Sequence, residues 1–533
     1  MNETVDLFKY NGFKLINLEL IENKLLGTIT YDFIDEIDDE GHIYTTVIIG
    51  PNGTGKSNLF RTIIELFREL YSLREGKGRV YQVKGRFKLK FSLNGDIYIF
   101  SNVDDPKTRP VNYKKSDNNA YLLRNGELVP FKEVFFPLAI VANSLMITDK
   151  YPVFAREDIL PCYKYLGVRN TPQNASTRSY VRKTVDFIIS NQDSDAFKAG
   201  LKKTTEFLGV NEAIEIYYST INGNVFFNGK LDVEKFRKHY DNINERYLGK
   251  EYPPQKLNYY NRLSNNDGKI EELVDFCNRL VEEKCVIRKG DSTIGRITYN
   301  IISSTSYSKL KQDGDLLEEL RQLGILTAPD ISLNKGDSYA LAESSSGEYH
   351  LFSSVVGLLA TLRMNSLLFI DEPENSLHPN WQMKYLSFIR TLFSDKNYGT
   401  SHIIVATHSH FLISDLKGDS SRIIGLKRAD EQTTSHSLAN NEKRYELVDL
   451  PYNIDTYGWS AEQVLLNVFE VPTTRNFYVA ERLSQIFKIA ANIKNPDLSQ
   501  YKSELMMWHK RLQSNDPLHY TIEQLIKRLG WLV

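Results

Sequence analysis

Gly50-Pro51-Asn52-Gly53-Thr54-Gly55-Lys56-Ser57 separates a β-branched run, Tyr44 to Ile49, from an amphipathic stretch that begins at Ser57. Gly50, Gly53 and Gly55 open backbone conformations closed to other residues, so successive N–H groups can point into one concavity that cradles a polyphosphate. The residues expected around that anion are Asn52, Gly53, Thr54, Gly55, Lys56, Ser57 and Asn58. Lys56 can reach the β and γ phosphates, and Ser57 can offer its hydroxyl to magnesium. Downstream, Leu59, Ile63, Leu66 and Phe67 fall on one helical face, which directs the positive end of the helix at the phosphates. A chance match in a surface turn would lack the strand before and the helix after; both are present here.

The next informative stretch is Ser366-Leu367-Leu368-Phe369-Ile370-Asp371-Glu372-Pro373. A short apolar run ending in two carboxylates is the pattern of a buried central strand that delivers acids to the carboxyl edge of a parallel sheet. Asp371 is placed to hold magnesium, directly or through water, and Glu372 to polarise a water for attack on a γ-phosphate. Ser401 to His410 reads as a second buried strand, with His408 just past its end and able to hydrogen-bond a γ-phosphate or the attacking water. His402 and His410 are expected at the surface and His378 in a turn before Pro379. A zinc site on His408 and His410 lacks further ligands.

Between these elements, Ser344-Ser345-Ser346-Gly347-Glu348 precedes a stretch in which Phe352, Val355, Val356, Leu359 and Leu362 recur at helical spacing. Its small residues can bring backbone N–H groups and a serine hydroxyl near an anion at a helix N-terminus. In isolation the same residues read as an ordinary helix cap.

Length and composition set the frame. A chain of 533 residues, 41% hydrophobic and 25% charged, is expected to hold two to four domains with sizeable cores. A net charge of −1 provides no global attraction to nucleic acid or to an anionic membrane, so such contacts would need local patches. Cys162, Cys277 and Cys285 are too few and too irregularly spaced for a disulfide framework or a zinc site, and they suit a reducing compartment. With Glu3, Asp6 and Lys9 near the start and no apolar run of membrane-spanning length, a cytoplasmic location without membrane contact is expected.

Along the chain, residues 11 to 34 alternate loosely and read as strands flanking the nucleotide sheet. Phe87 to Leu93 alternates cleanly, turns at Asn94-Gly95 and continues as Asp96 to Phe100, a hairpin whose lysines fit the solvent face of a half-buried sheet. Asp104 to Asp117 reads as a loop, and Phe135 to Ala142 as a return to the sheet. Four regions are expected: 1–150 with the phosphate loop, an inserted and mainly helical 151–330, 331–430 with the acidic strand and His408, and a helical extension over 431–533. Asp193-Ser194-Asp195 and Asp313-Gly314-Asp315 read as solvated loop or cap carboxylates.

These elements, in this order, resemble the ABC-type ATPases, and within them the soluble SMC and RecF-like heads. Gly50 to Ser57 matches the Walker A motif, Ser344 to Glu348 the signature, Leu367 to Glu372 Walker B and Thr407-His408 the switch histidine, while Glu374 to Pro379 is similar to the D-loop. Ser346 stands where glycine is usual, and the expected place of a Q-loop glutamine, near Val141 to Ser144, holds none. The resemblance implies an α/β P-loop fold of ABC ATPase head type, with ATP and Mg2+ as cofactors. It also implies a homo-dimer or higher homo-oligomer in which two heads sandwich ATP, Ser345, Ser346 and Gly347 of one head facing the Walker A and B residues of the other. Catalytic roles fall to Glu372 and His408, and metal binding to Ser57 and Asp371.

The tail, with Ser460 and Gln463 as a capping box and further helices to Val533, resembles that of PtuA-type ATPases of Septu and retron-associated anti-phage systems. That resemblance implies an HNH nuclease partner and, in retrons, a reverse transcriptase with noncoding nucleic acid. Two other readings compete. An OLD-like protein would carry a TOPRIM nuclease needing an Asp-x-Asp cluster, absent after His408, and about 125 residues is short for such a domain. A RecF or SMC-like genome-maintenance ATPase would need a basic stripe for direct DNA binding, for which Arg86, Lys88, Lys90, Lys202 and Lys203 are sparse candidates. A transporter ATPase subunit fits the large insertion poorly.

Overall fold

The computed structural model describes residues 12–531 except 35–42, 79–82, 104–119, 155, 172–173, 176, 211–213, 222, 248–253, 284–285, 289–294, 302–303, 337, 376, 395–397, 415, 430–443, 449, 451–453, 470–474, 493–497 and 515. The Asp104 to Asp117 stretch and Cys285 fall outside these residues. The chain divides into two compact units, Met1–Trp459 and Ser460–Val533.

The first unit is built on a seven-stranded sheet. Its five inner strands, Ser421–Arg428, Tyr44–Ile49, His402–Thr407, Leu367–Asp371 and Ile140–Ser144, lie in that spatial order and run parallel. Tyr163–Tyr165 extends one edge in parallel, and Tyr445–Val448 closes the other in antiparallel. Four of the inner strands are buried at every position, as strands covered on both faces must be, and accordingly Leu367 to Ile370 and Ile403 to Thr407 read as apolar or β-branched runs. Because Ile49 pairs with Thr407 and Asp371 with both Ala406 and Ser144, the residues that follow, Gly50, His408 and Glu372, leave the sheet at one edge.

A second, antiparallel sheet of six strands contains Phe13–Asn23, Gly27–Asp32 and the hairpin Arg86–Leu93/Asp96–Ser101. Asn94 and Gly95 both take positive φ, 51° and 88°, as the two-residue hairpin turn requires. The helix Lys56–Arg74 lies between the two sheets. Phe60 meets Phe369 of the parallel sheet with ring centroids 4.9 Å apart, and Phe67 meets Phe91 of the antiparallel sheet at 5.3 Å. Each such buried ring contributes roughly 1.5–3 kcal/mol, so the phosphate-loop helix is fixed from both sides. The whole is the α/β P-loop fold expected from the motifs, with helical additions.

The segment between Tyr151 and Asp330 carries the helices Thr177–Ser190, Asp195–Leu208, Val233–Tyr247, Asp267–Glu282 and Ser304–Gln322. They surround a five-stranded antiparallel sheet that sequence reading does not anticipate, in which Glu215–Ser219 pairs with Gly295–Asn300 and with Asp330–Asn334. Thr177–Ser190 and Asp195–Leu208 pack on Ser346–Thr361: Tyr180 meets Tyr349, and a Cβ on Gly200 would strike Leu359 at 2.3 Å. A larger residue there would force Leu359 to repack.

Three expectations change. Asp313-Gly314-Asp315 lies inside Ser304–Gln322 instead of a loop, and Asp313 is buried in an ion pair with Arg279 while accepting from Tyr299 Oη at 2.8 Å. Residues 445–448 belong to the central sheet, so the helical extension starts later, at Ser460. His402 is fully buried: its Nδ1 accepts from the Leu15 amide at 3.1 Å, its Nε2 lies 2.8 Å from Thr46 Oγ1, and burial holds its pKa well below the ordinary value. His402→Ala is expected to lower stability by roughly 3 kcal/mol, because it leaves a cavity and strands a buried N–H; a denaturation midpoint checks it. His378 caps the helix Pro379–Leu392, as its turn position suggests, and His410 is partly exposed.

The second unit is helical: Ala461–Asn467 comes first, and Phe477–Asn492, Lys502–Arg511 and Pro517–Arg528 contribute a small core of Leu483, Ile486, Leu505, Trp508, Ile522 and Ile526. Its first helix opens on the Ser460/Gln463 capping box. No helix among the described residues is long and apolar enough to cross a membrane.

Candidate functional site

The loop and the strand ends meet in a cleft of about 200 Å3 lined by Gly53, Gly55, Lys56, Ser57, Asn58, Met146, Thr148, Asp149, Lys150, Asp371 and Glu372. Gly53 and Gly55 have φ of 81° and 88°, and a Cβ on Gly53 would lie 2.7 Å from the Arg428 guanidinium. The positive φ calls for glycine at both positions, whereas the Arg428 side chain could swing aside. Gly55 immediately precedes the helix Lys56–Arg74, so the free N–H groups of its first turn adjoin the cleft. Thr54 is buried and ties the loop to itself, its hydroxyl donating to Pro51 O at 2.9 Å, whereas Asn52 is exposed.

Lys56 is buried and turned onto the loop, donating to Gly50 O at 2.8 Å and Pro51 O at 3.3 Å. Burial pulls its pKa down to about 8, against the opposing pull of Glu372, Asp371 and Glu374. Its Nζ also lies 3.0 Å from His408 Nε2, which in turn is 2.9 Å from Glu372 Oε1. Asn375 Nδ2 donates to the other oxygen of Glu372 at 2.9 Å. The hydrogen bond from His408 holds the Glu372 pKa below the carboxylate norm, burial opposing it. Glu372 sits at φ 48°, in the left-handed region that a non-glycine residue seldom adopts, with its amide held by Ala406 O at 2.9 Å.

Glu374 opens the stretch similar to the D-loop, but its contacts are not readable from sequence. It lies under the next strand end, where its Oε1 accepts from Thr407 Oγ1 at 2.9 Å and from the His408 amide at 2.5 Å. The backbone that carries the histidine is thereby fixed. Asp149, unmarked in sequence, lines the cleft and is paired with Arg169 and with Tyr165 Oη, the latter at 2.6 Å. The strand Ile140–Ser144 supplies no glutamine; its Asn143 donates to Ser354 Oγ at 2.6 Å, and the residues that follow it, Met146 to Lys150, reach the cleft instead.

Asp371 is buried, accepts from the Ser57 hydroxyl, and keeps Oδ1 without a hydrogen-bond partner. A buried carboxylate oxygen without a partner beside a serine hydroxyl is a donor set suited to a hard divalent cation such as Mg2+. Burial raises the Asp371 pKa from 3.8 to about 7. Between those values the folded chain binds a proton that the unfolded chain does not, so this group's contribution to stability falls as pH rises through that window and is lowest above 7. Asp371→Asn is therefore expected to stabilise the nucleotide-free protein at pH 8, by at most roughly 4 kcal/mol, and to leave its stability nearly unchanged at pH 4; paired thermal melts check the sign.

Ser345, Ser346 and Gly347 do not line this cleft. Ser345 caps the helix Ser346–Thr361 in a complete capping box with Glu348, Ser345 and Ser346 are exposed, and Gly347 is buried. Glu348 is paired with Lys335, which holds its pKa down although burial pushes it up. The serines thus face solvent at the start of a four-turn helix.

A search of curated proteins returns no match. Among solved structures, the chain is similar to the Smc head domain of Pyrococcus furiosus with an extended coiled coil bound to the C-terminal domain of ScpA, at 12% identity over 86% of this chain and 100% of that chain, TM-score 0.29. It is likewise similar to the Smc head of Pyrococcus yayanosii with a coiled coil and joint (11%, 86% and 100%, TM-score 0.30). The recombination mediator protein RecF with ATP is a further match (12%, 77% and 94%, TM-score 0.24). The family model described as AAA ATPase domain matches residues 21–413, most of the chain and all the motifs above, and on that match the protein belongs to the AAA ATPase domain family.

Proposed function

We propose that the chain hydrolyses ATP to ADP and phosphate as a dimer or higher homo-oligomer of heads, and that it does so as the regulatory subunit of a prokaryotic anti-phage complex whose separate HNH-type nuclease it controls. The observation that carries the ATPase reading is the Lys56, His408 and Glu372 chain of contacts beside the partnerless Asp371 oxygen, all at the mouth of one glycine-rich loop. Asn52 to Asn58 bind the phosphates through the loop and helix N-terminus. Ser57 and Asp371 hold Mg2+, which supplies charge neutralisation at the transferred phosphoryl group. Glu372, kept ionised by His408, accepts a proton from the attacking water. His408 is oriented through its backbone by Glu374 and reports on the γ-phosphate. The exposed Ser345 and Ser346, with Gly347, complete the site of a second copy, which agrees with their absence from the cleft of their own.

The defence role rests on the sequence resemblance of the Ser460 to Val533 region to PtuA-type tails, and a cytoplasmic location and, where a retron is involved, a reverse transcriptase partner come with it. Tagged protein recovered from its own host is expected to bring down an HNH nuclease, and the partner-free chain to leave DNA and RNA intact. Recovery of DNA-repair proteins in place of a nuclease would overturn the defence reading without touching the ATPase one.

A further inference from the structure

We propose that the C-terminal unit carries a zinc site made by His509, His519 and Glu523. These side chains form the group of potential metal ligands found among the described residues, with one ligand atom from each lying within 4.8 Å of the others. His519 and Glu523 are four residues apart on the helix Pro517–Arg528, hence on one face, and His509 comes from the neighbouring helix Lys502–Arg511. The two imidazoles lie with centroids 4.4 Å apart and planes inclined by 24°. Each imidazole has a ring nitrogen that can ligate a shared cation.

His509 Nε2 is buried and has no hydrogen-bond partner, which costs free energy unless something else satisfies it. Glu523 is ion-paired with Lys527 at 2.6 Å, and the half-exposed Lys527 ammonium can swing into water when a divalent ion takes the carboxylate. Two imidazole nitrogens and a carboxylate form a borderline donor set that suits Zn2+ and leaves a fourth position for water or a partner's side chain. Zinc bonds of about 2.0–2.1 Å require the ligand atoms to close to roughly 3.4 Å, a movement within reach of side-chain rotation because all three groups are only partly buried. The benefit is physical: nine buried apolar residues make the core of this unit, and small cores are commonly supplemented by a metal.

The test uses the full chain, stripped with a chelator and titrated with Zn2+ and with Co2+. One equivalent should bind, Co2+ giving the visible absorption of a nitrogen- and oxygen-ligated ion. His509→Asn and His519→Asn should weaken binding by roughly 100-fold or more and Glu523→Gln by roughly tenfold, while His408→Asn, in the nucleotide cleft, retains it. No binding by the intact chain, or unaltered affinity in the two histidine variants, would overturn the proposal. Should a histidine variant lose its helical circular dichroism, Glu523→Gln decides alone: unchanged affinity counts against the site.

Discussion

Glu372→Gln is expected to retain ATP binding and to lose turnover by roughly 10²- to 10⁴-fold, the usual weight of a positioned general base. The substitution keeps the shape of the side chain, although its single carbonyl oxygen can accept from only one of Asn375 and His408. What disappears is the charge that His408 holds in place. The left-handed backbone at this position is unaffected, since glutamine tolerates it as glutamate does. Because reopening of the proposed dimer depends on hydrolysis, the variant should also accumulate as an ATP-bound dimer in sedimentation velocity. A turnover rate close to that of the parent would remove Glu372 from its role.

Lys56→Met is expected to weaken nucleotide binding by roughly two orders of magnitude, the loss of a close charge pair with phosphate, while leaving the nucleotide-free fold as stable or more so. The second half is the less obvious one. Lys56 is surrounded by carboxylates, yet its pKa falls to about 8, so burial outweighs their attraction. Methionine removes the ammonium whose desolvation outweighs the attraction of the carboxylates, the direction in which the lowered pKa points. Thermal melts at pH 7 measure one effect, and nucleotide titration the other. A large drop in melting temperature would show that the lysine is needed as counterion to Asp371, Glu372 and Glu374.

Much of the site could be read from sequence because it consists of residues placed at the ends of buried parallel strands. There an unbroken apolar run such as Leu367 to Ile370 announces both the strand and the edge at which Asp371 emerges. The phosphate loop was legible for the related reason that its glycines answer to local backbone demands. What escaped was set by tertiary placement. Glu374 looks like any residue of a turn until the strand His402–Thr407 brings Thr407 and the His408 amide over it. His402 departs from the sequence expectation because a polar residue at the start of a strand usually faces water; here both flanks are covered, and Leu15 and Thr46 supply its partners from distant segments. The antiparallel sheet of the insertion joins Tyr217 to Thr298 and to Asp330, separations at which no local pattern reveals the pairing. Asp313-Gly314-Asp315 has turn chemistry, overridden by a helix whose Asp313 is neutralised by Arg279.

The central claim is that each nucleotide site is shared between two copies of the chain. It is tested most directly by mixing two inactive variants: Lys56→Met, which spoils the loop, and Ser346→Arg, which places a bulky cation at an exposed position beside the cap without removing the Ser345 capping box. Each alone should turn over ATP at a few per cent of the parent rate or less, roughly, while an equimolar mixture should recover about a quarter of it, since half the dimers then hold one intact composite site. A mixture as inactive as its components, or full activity in Ser346→Arg alone, would contradict the shared site.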